Sequence, residues 1–186
     1  AYVIPAPLWK TLLSSKSSSD QHETAFVDPK VPPRDLRGKV CLITGANSGL
    51  GFATAKLLAS KGARVIVASK FGRPGKKEDV HDALTAAAAE QGSEFAHEIM
   101  DIDLSDVCDI ELFCKSYEAK KFPLIDVLVL NAGVCLHETR LTKQGIESMI
   151  GINYLGSWVL TNELLRRDLL ADGASIVGIA SEAHRI

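Results

Sequence analysis

KVCLITGANSGLG, residues 39–51, is the stretch from which the rest of the chain is read. Its apolar start, Val40 to Ile43, predicts a short buried strand. Three glycines follow, and FATAKLLASKG, residues 52–62, then shows the apolar spacing of a helix with Gly62 as its C-cap. Gly45 predicts a sharp exit from the strand, Gly49 a backbone that a ligand can approach without a Cβ in the way, and Gly51 close packing of helix on sheet. The helix N-terminus beyond them offers free N–H groups and the positive end of a dipole, which suits a phosphate. A glycine-rich turn alone is weak evidence, so its surroundings decide.

The same alternation continues downstream. RVIVAS (64–69) reads as a strand, about 76–91 as a helix, FAHEIMDI (95–102) as a strand, about 106–119 as a helix and IDVLVL (125–130) as a strand. A long helix over about 143–170 then leads to a strand, SIVGIA, at 175–180. Apolar strands alternating with helices predict a parallel sheet covered on both faces, because parallel neighbours need crossover connections. Right-handed crossovers then give an α/β, Rossmann-like doubly wound sheet of order 3-2-1-4-5, truncated after the fifth strand. Residues 38–186 form this nucleotide-binding domain in the reading. Residues 1–37 read as an extended arm or linker, since prolines at 5, 7, 29, 32 and 33 forbid a continuous helix.

Composition narrows the partners. The 186 residues carry a net charge of −2, which leaves no surplus of cations for a nucleic acid. No run of 18 apolar residues occurs, which argues against a spanning helix. The apolar start, residues 1–13 with Trp9, suits contact with a protein partner or a membrane surface, or packing back on its own domain. Cys41, Cys108, Cys114 and Cys135 are dispersed, which reads as free thiols in a reducing, intracellular compartment. The five histidines show no spacing that converges on a metal, and no metal site is expected. The start at Ala1 reads as a processed terminus or as the interior of a longer protein.

With Thr44 before it, the Gly-x-x-x-Gly-x-Gly spacing of residues 45–51 resembles the signature of the short-chain dehydrogenases/reductases. DIDLSD (101–106), LNAG (130–133) and GINYLGSWVLT (151–161) agree with that family in order and register. LTKQGIES (141–148) and SEAHRI (181–186) look like its retinol-dehydrogenase-like and WW-domain-oxidoreductase-like branch in particular. The resemblance implies a nicotinamide dinucleotide gripped by Thr44, Gly45, Asn47, Ser48, Gly49, Leu50 and Gly51. It further implies that Asp103 and Leu104 meet the adenine and that Asn131, Ala132 and Gly133 line the ribose side. A plain alternative for Asp103 is a charge near the next helix's N-terminus, a role open to Asp106 as well.

The end of the second strand bears on the choice of nucleotide. An NAD site commonly places a carboxylate there for the ribose 2′-hydroxyl, whereas this chain has Ser69 and Lys70 and no acid before Glu78. Lys70, with Arg73 nearby, would attract a 2′-phosphate, so NADP is favoured; the alternative is that these cations only keep a loop solvated. Lys70 stands where relatives tend to carry Arg, and so lacks the planar fork.

Hydride transfer needs a proton donor or acceptor at the substrate oxygen and donors for the developing alkoxide. The resemblance implies a Ser that polarises that oxygen, an Asn that positions a proton-relay water, and a Tyr with a Lys four residues later. It points to Ser181, at the tip of the fifth strand, and to Asn153 as candidate catalytic residues. The alternatives are a plain strand-end hydroxyl and a buried amide capping a kink. Tyr117 and Lys121 match the Tyr-x-x-x-Lys pattern literally but read as a chance match on a solvated helix. The family's pair would follow Ser181 on a helix that this chain does not reach. The expectation is therefore a piece of an NADP(H)-dependent enzyme acting on a small lipophilic alcohol or carbonyl substrate; the alternative is a non-catalytic nucleotide-binding or scaffold subunit of a larger complex.

Overall fold

The computed structural model describes residues 35–89 and 97–181. Five strands, β1 (Val40–Thr44), β2 (Arg64–Ser69), β3 (Glu98–Asp101), β4 (Ile125–Leu130) and β5 (Leu170–Gly178), pair in the order β3-β2-β1-β4-β5. Every pairing is parallel. The doubly wound arrangement expected from the alternation is therefore present. Residues 1–34, which hold most of the arm and all of its docking candidates, lie outside the described residues, as do 182–186.

Side chains alternate across the strands and split the core in two. Leu42, Ile66 and Leu128 point to the face covered by α3 (Val107–Ala119) and α5 (Ser157–Arg166), where they meet Ile110, Phe113, Tyr117, Leu160 and Leu164. Cys41, Ile43, Val65 and Val67 point to the other face, against Ala55 and Ala59 of α1 (Gly49–Ser60) and Val80 and Leu84 of α2 (Lys76–Ala89). Burying one such Leu, Ile or Val contributes roughly 1.5–3 kcal/mol. The alanines on α1 let that helix lie close to the sheet, which brings its N-terminus to the end of β1.

Three elements differ in their boundaries from the sequence reading. The long helix begins at Ser148, not near 143: α4 (Ser148–Ile150) runs into a π-helical stretch, Gly151–Gly156, and then into α5. Glu147 sets that start, because its carboxylate accepts from the N–H groups of Met149 and Ile150, both at 3.0 Å. Residues 141–147 form a turn closed by a bridge between Leu141 and Glu147. The helix also ends earlier, at Arg166, where Asp168 at φ 54° reverses the chain. β5 accordingly starts at Leu170 and stops at Gly178, with an irregularity in its pairing between Ile125 and Val127. β3 spans only Glu98–Asp101, and residues 95 and 96 of its expected start lie outside the described residues.

The solvated setting expected for Tyr117 is also corrected. Tyr117 is not solvated but 0% exposed, and its hydroxyl donates to the Pro123 carbonyl at 2.8 Å. Burial pushes its phenol well above the usual range. Lys121 lies past the end of α3 at φ 53°. The two do not form a catalytic pair.

Candidate functional site

The carboxyl ends of β1, β2 and β4 open onto a cleft of about 550 Å³, beside the point where the chain order reverses at β1. In doubly wound sheets that reversal leaves a crevice for a ligand. Thr44 ends β1 fully buried. Its hydroxyl donates to the Val129 carbonyl at 3.4 Å and accepts from the N–H groups of Asn131 and Ala132, both at 3.0 Å. The Asn131 amide in turn donates to the Thr44 carbonyl at 2.9 Å. One hydroxyl and one amide thus tie the β1 turn to the segment after β4.

Two glycines of the turn are sterically required. A Cβ on Gly45, at φ 67°, would stand 2.8 Å from the Ala132 Cα. A Cβ on Gly51 would stand 2.3 Å from the Asn131 Nδ2 and 2.7 Å from the Gly45 carbonyl oxygen, so α1 can start here only without one. Ser48 precedes α1 in extended conformation, yet its side chain makes no capping bond to the helix. Its hydroxyl donates to the Asn47 Oδ1 at 3.4 Å instead. The first-turn N–H groups are thereby left to an acceptor from outside the helix.

The far end of the cleft is polar. Asn47 Nδ2 donates to the Lys70 carbonyl at 3.0 Å, and Lys70 Nζ lies 2.6 Å from Asp103 Oδ2. The other Asp103 oxygen accepts from the Ser105 N–H at 2.9 Å and the Ser105 hydroxyl at 2.6 Å. Burial would raise the Asp103 carboxyl, but Lys70 and the Ser105 donors outweigh it and hold it below its usual value. The hydroxyl of Ser69, at the tip of β2, is buried and has no partner among the described residues. Asp106 caps α3 by accepting from the Cys108 N–H, and Asp103 lies just ahead of that helix start, accepting from the Ser105 N–H.

Asn153 sits in the π-helical stretch. Its Oδ1 accepts from the Val134 N–H at 2.8 Å and its Nδ2 donates to the Val134 carbonyl at 2.9 Å. Close packing accounts for the flanking glycines: a Cβ on Gly156 would stand 2.3 Å from the Leu104 carbonyl oxygen, and one on Gly151 2.6 Å from Thr142 Cγ2. Ser181 is exposed just beyond β5. The bond from the Ile179 N–H to the Leu130 carbonyl, 3.0 Å, keeps that segment beside the end of β4, on the same edge of the sheet as the cleft.

Of the candidates, Gly45, Asn47, Ser48, Leu50, Gly51, Ser69, Lys70, Asp103, Leu104, Asn131, Ala132 and Gly133 line the cleft together. Thr44, Gly49, Asn153 and Ser181 do not. Ala68, Ile102, Ser105, Val134 and Ile152, which motif reading passed over, complete the walls. Each lies within two positions of a residue that was picked out, so adjacency was the available signal. Among the described residues no cluster of three or more His, Cys, Asp or Glu could hold a metal ion.

Residues 39–186 match the family model described as short chain dehydrogenase. The chain is 38% identical over 154 residues to the WW domain-containing oxidoreductase of Danio rerio, covering 82% of this chain and 35% of that protein. It is 37% identical over 153 residues to retinol dehydrogenase 12 of Homo sapiens, covering 81% of this chain and 46% of that one. The chain thus spans between a third and a half of the length of these curated relatives. Its fold is similar to a short chain dehydrogenase from Burkholderia cenocepacia solved in complex with NADP, with TM-score 0.65 and 26% identity over 82% of this chain and 60% of that one.

Proposed function

The chain belongs to the short-chain dehydrogenase/reductase family, and from that premise we propose that its cleft binds NADP(H) for hydride transfer between the nicotinamide and a lipophilic alcohol or carbonyl. The observation that carries the choice of nucleotide is Lys70: it is the cation at the tip of β2, where an NAD site would place a carboxylate. The cleft fits such a group. Uncapped amides of the α1 start lie at one part of it, a cation and a carboxylate at another, and apolar Ala68, Ile102 and Ile152 in its lining suit a flat ring.

In this reading N–H groups of the turn between Gly45, whose own N–H is held by the Ala68 carbonyl, and Gly51 bind the diphosphate, and Lys70 binds the 2′-phosphate. Asn153 holds the Val134 backbone, and with it the floor beside the reacting end. Ser181 donates a hydrogen bond to the substrate oxygen and stabilises its alkoxide character. The bound nicotinamide supplies or accepts the hydride.

Calorimetric titration of the full chain with NADPH and NADH tests the proposal. Bonds to a charged partner are worth about 1.5–3 kcal/mol, so NADPH should bind about ten-fold or more tighter. Lys70→Met should erase most of that preference. Tighter binding of NADH by the unaltered chain would defeat the assignment.

A non-catalytic reading, as a nucleotide-binding subunit of a larger complex, draws on one observation. Ile176, Val177 and Ile179, in and just after β5, are 46%, 43% and 53% exposed, an apolar surface that a partner subunit would cover. Turnover of an alcohol by the purified protein with NADP would exclude it.

A further inference from the structure

Among the described residues, the cleft is lined by one cation, Lys70, and one carboxylate, Asp103, and these two face each other at 2.6 Å. Resting on the NADP(H) reading, we propose that the pair is a latch across the nucleotide's binding place, opened by the 2′-phosphate and left closed by a bare 2′-hydroxyl.

The two partners are held very differently. Asp103 is anchored: one oxygen takes both Ser105 donors, and its own N–H donates to Asp109 Oδ2 at 2.6 Å. Its side chain is only 26% exposed. Lys70 has its carbonyl fixed by Asn47, but its side chain is 71% exposed on a flexible stem. The moving part is therefore the ammonium, which can leave Asp103 without disturbing the backbone.

The two cofactors differ in what they offer it. A 2′-phosphate brings close to two negative charges and three acceptor oxygens, a stronger partner for an ammonium than one carboxylate. Lys70 then swings to the phosphate, and the second oxygen of Asp103 becomes free to accept from the exocyclic amine of the adenine. A 2′-hydroxyl offers no comparable partner, so Lys70 stays on Asp103 and competes with the adenine for it. Discrimination then draws on Asp103 as well as Lys70, although Asp103 never meets the phosphate.

The distinguishing experiment is the affinity of NADH, measured calorimetrically on the full chain. Lys70→Met releases Asp103, so it should tighten NADH by about two- to five-fold, the range expected for losing one exposed ion pair. In an Asp103→Asn background the same substitution should leave NADH affinity unchanged. Lys70→Gln guards against a local effect of Met and should reproduce the gain. Unchanged or weaker NADH binding by both Lys70 variants overturns the latch. Failure of the NADP(H) reading shows separately, as NADPH binding that Lys70→Met does not weaken.

Discussion

Replacing Gly156 with Ala sets two magnitudes against each other. In an ordinary helix the change should help, because Ala is about 1 kcal/mol more favourable than Gly. Here the added Cβ would stand 2.3 Å from the Leu104 carbonyl oxygen, 2.9 Å from the Leu104 Cβ and 3.1 Å from the Gly151 carbonyl oxygen. Two of these are backbone atoms that cannot rotate aside, so the overpacking cost belongs near the upper end of its usual range, about 3 kcal/mol. The net result is a loss of about 2 kcal/mol. For a chain of this size that lowers Tm by about 4–8 °C. Leu104 is also the neighbour of Asp103 in the cleft wall, so dinucleotide affinity should fall along with stability. Thermal unfolding followed by circular dichroism measures the first effect and calorimetric titration the second. Gly72→Ala is the control, since nothing stands within 4 Å of its Cβ position and its φ is not positive. It should melt within about 3 °C of the unaltered chain. A Gly156→Ala protein that melts at or above the unaltered chain would refute the reasoning.

Tyr117→Phe removes a buried hydroxyl that donates to Pro123, so urea unfolding should show a loss of about 1 kcal/mol. NADPH affinity should stay the same; weaker NADPH binding at unchanged stability would overturn the chance-match reading of Tyr117. Thiol alkylation near neutral pH, followed by intact mass, should modify exposed Cys108 and Cys135 and spare Cys41 and Cys114 until denaturant is added. Burial pushes the two spared thiols up to about 11 and about 12. Native labelling of either spared thiol at the rate of Cys135 would contradict the packing.

Legibility followed burial. β1, β2 and β4 were plain in the sequence because strands covered on both faces run apolar almost without a break. The first half of β5 was not. Leu170 to Ser175 is LADGAS, broken by Asp172 and Gly173, and only Leu170 and Ser175 stand in register with β4, the four residues between them forming an irregularity that no side-chain pattern announces. The early start predicted for the long helix came from residues 143–147 of helix-compatible composition. Gly145, at φ 76°, and the Glu147 cap were the contrary signals. Tyr117 was misplaced by its charged neighbours, although Ile110, Phe113, Cys114 and Tyr117 keep the helical spacing of a core-facing stripe.

The same contrast holds at the cleft. Its turn could be read directly because two of its glycines, Gly45 and Gly51, stand against atoms that a Cβ would strike. The Lys70–Asp103 pair could not, because 33 residues separate the partners. Only the adjacency of β2 and β3 in the sheet brings their tips together.

The hydroxyl of Thr44 accepts from two successive amides beyond β4 and donates to the Val129 carbonyl. Both walls of the turn are therefore preorganised before a nucleotide arrives. Ordering a free loop would cost roughly 1–2 kcal/mol for each residue immobilised. Here folding meets that entropy loss in advance, and encounter with a cofactor keeps more of its contact energy as affinity.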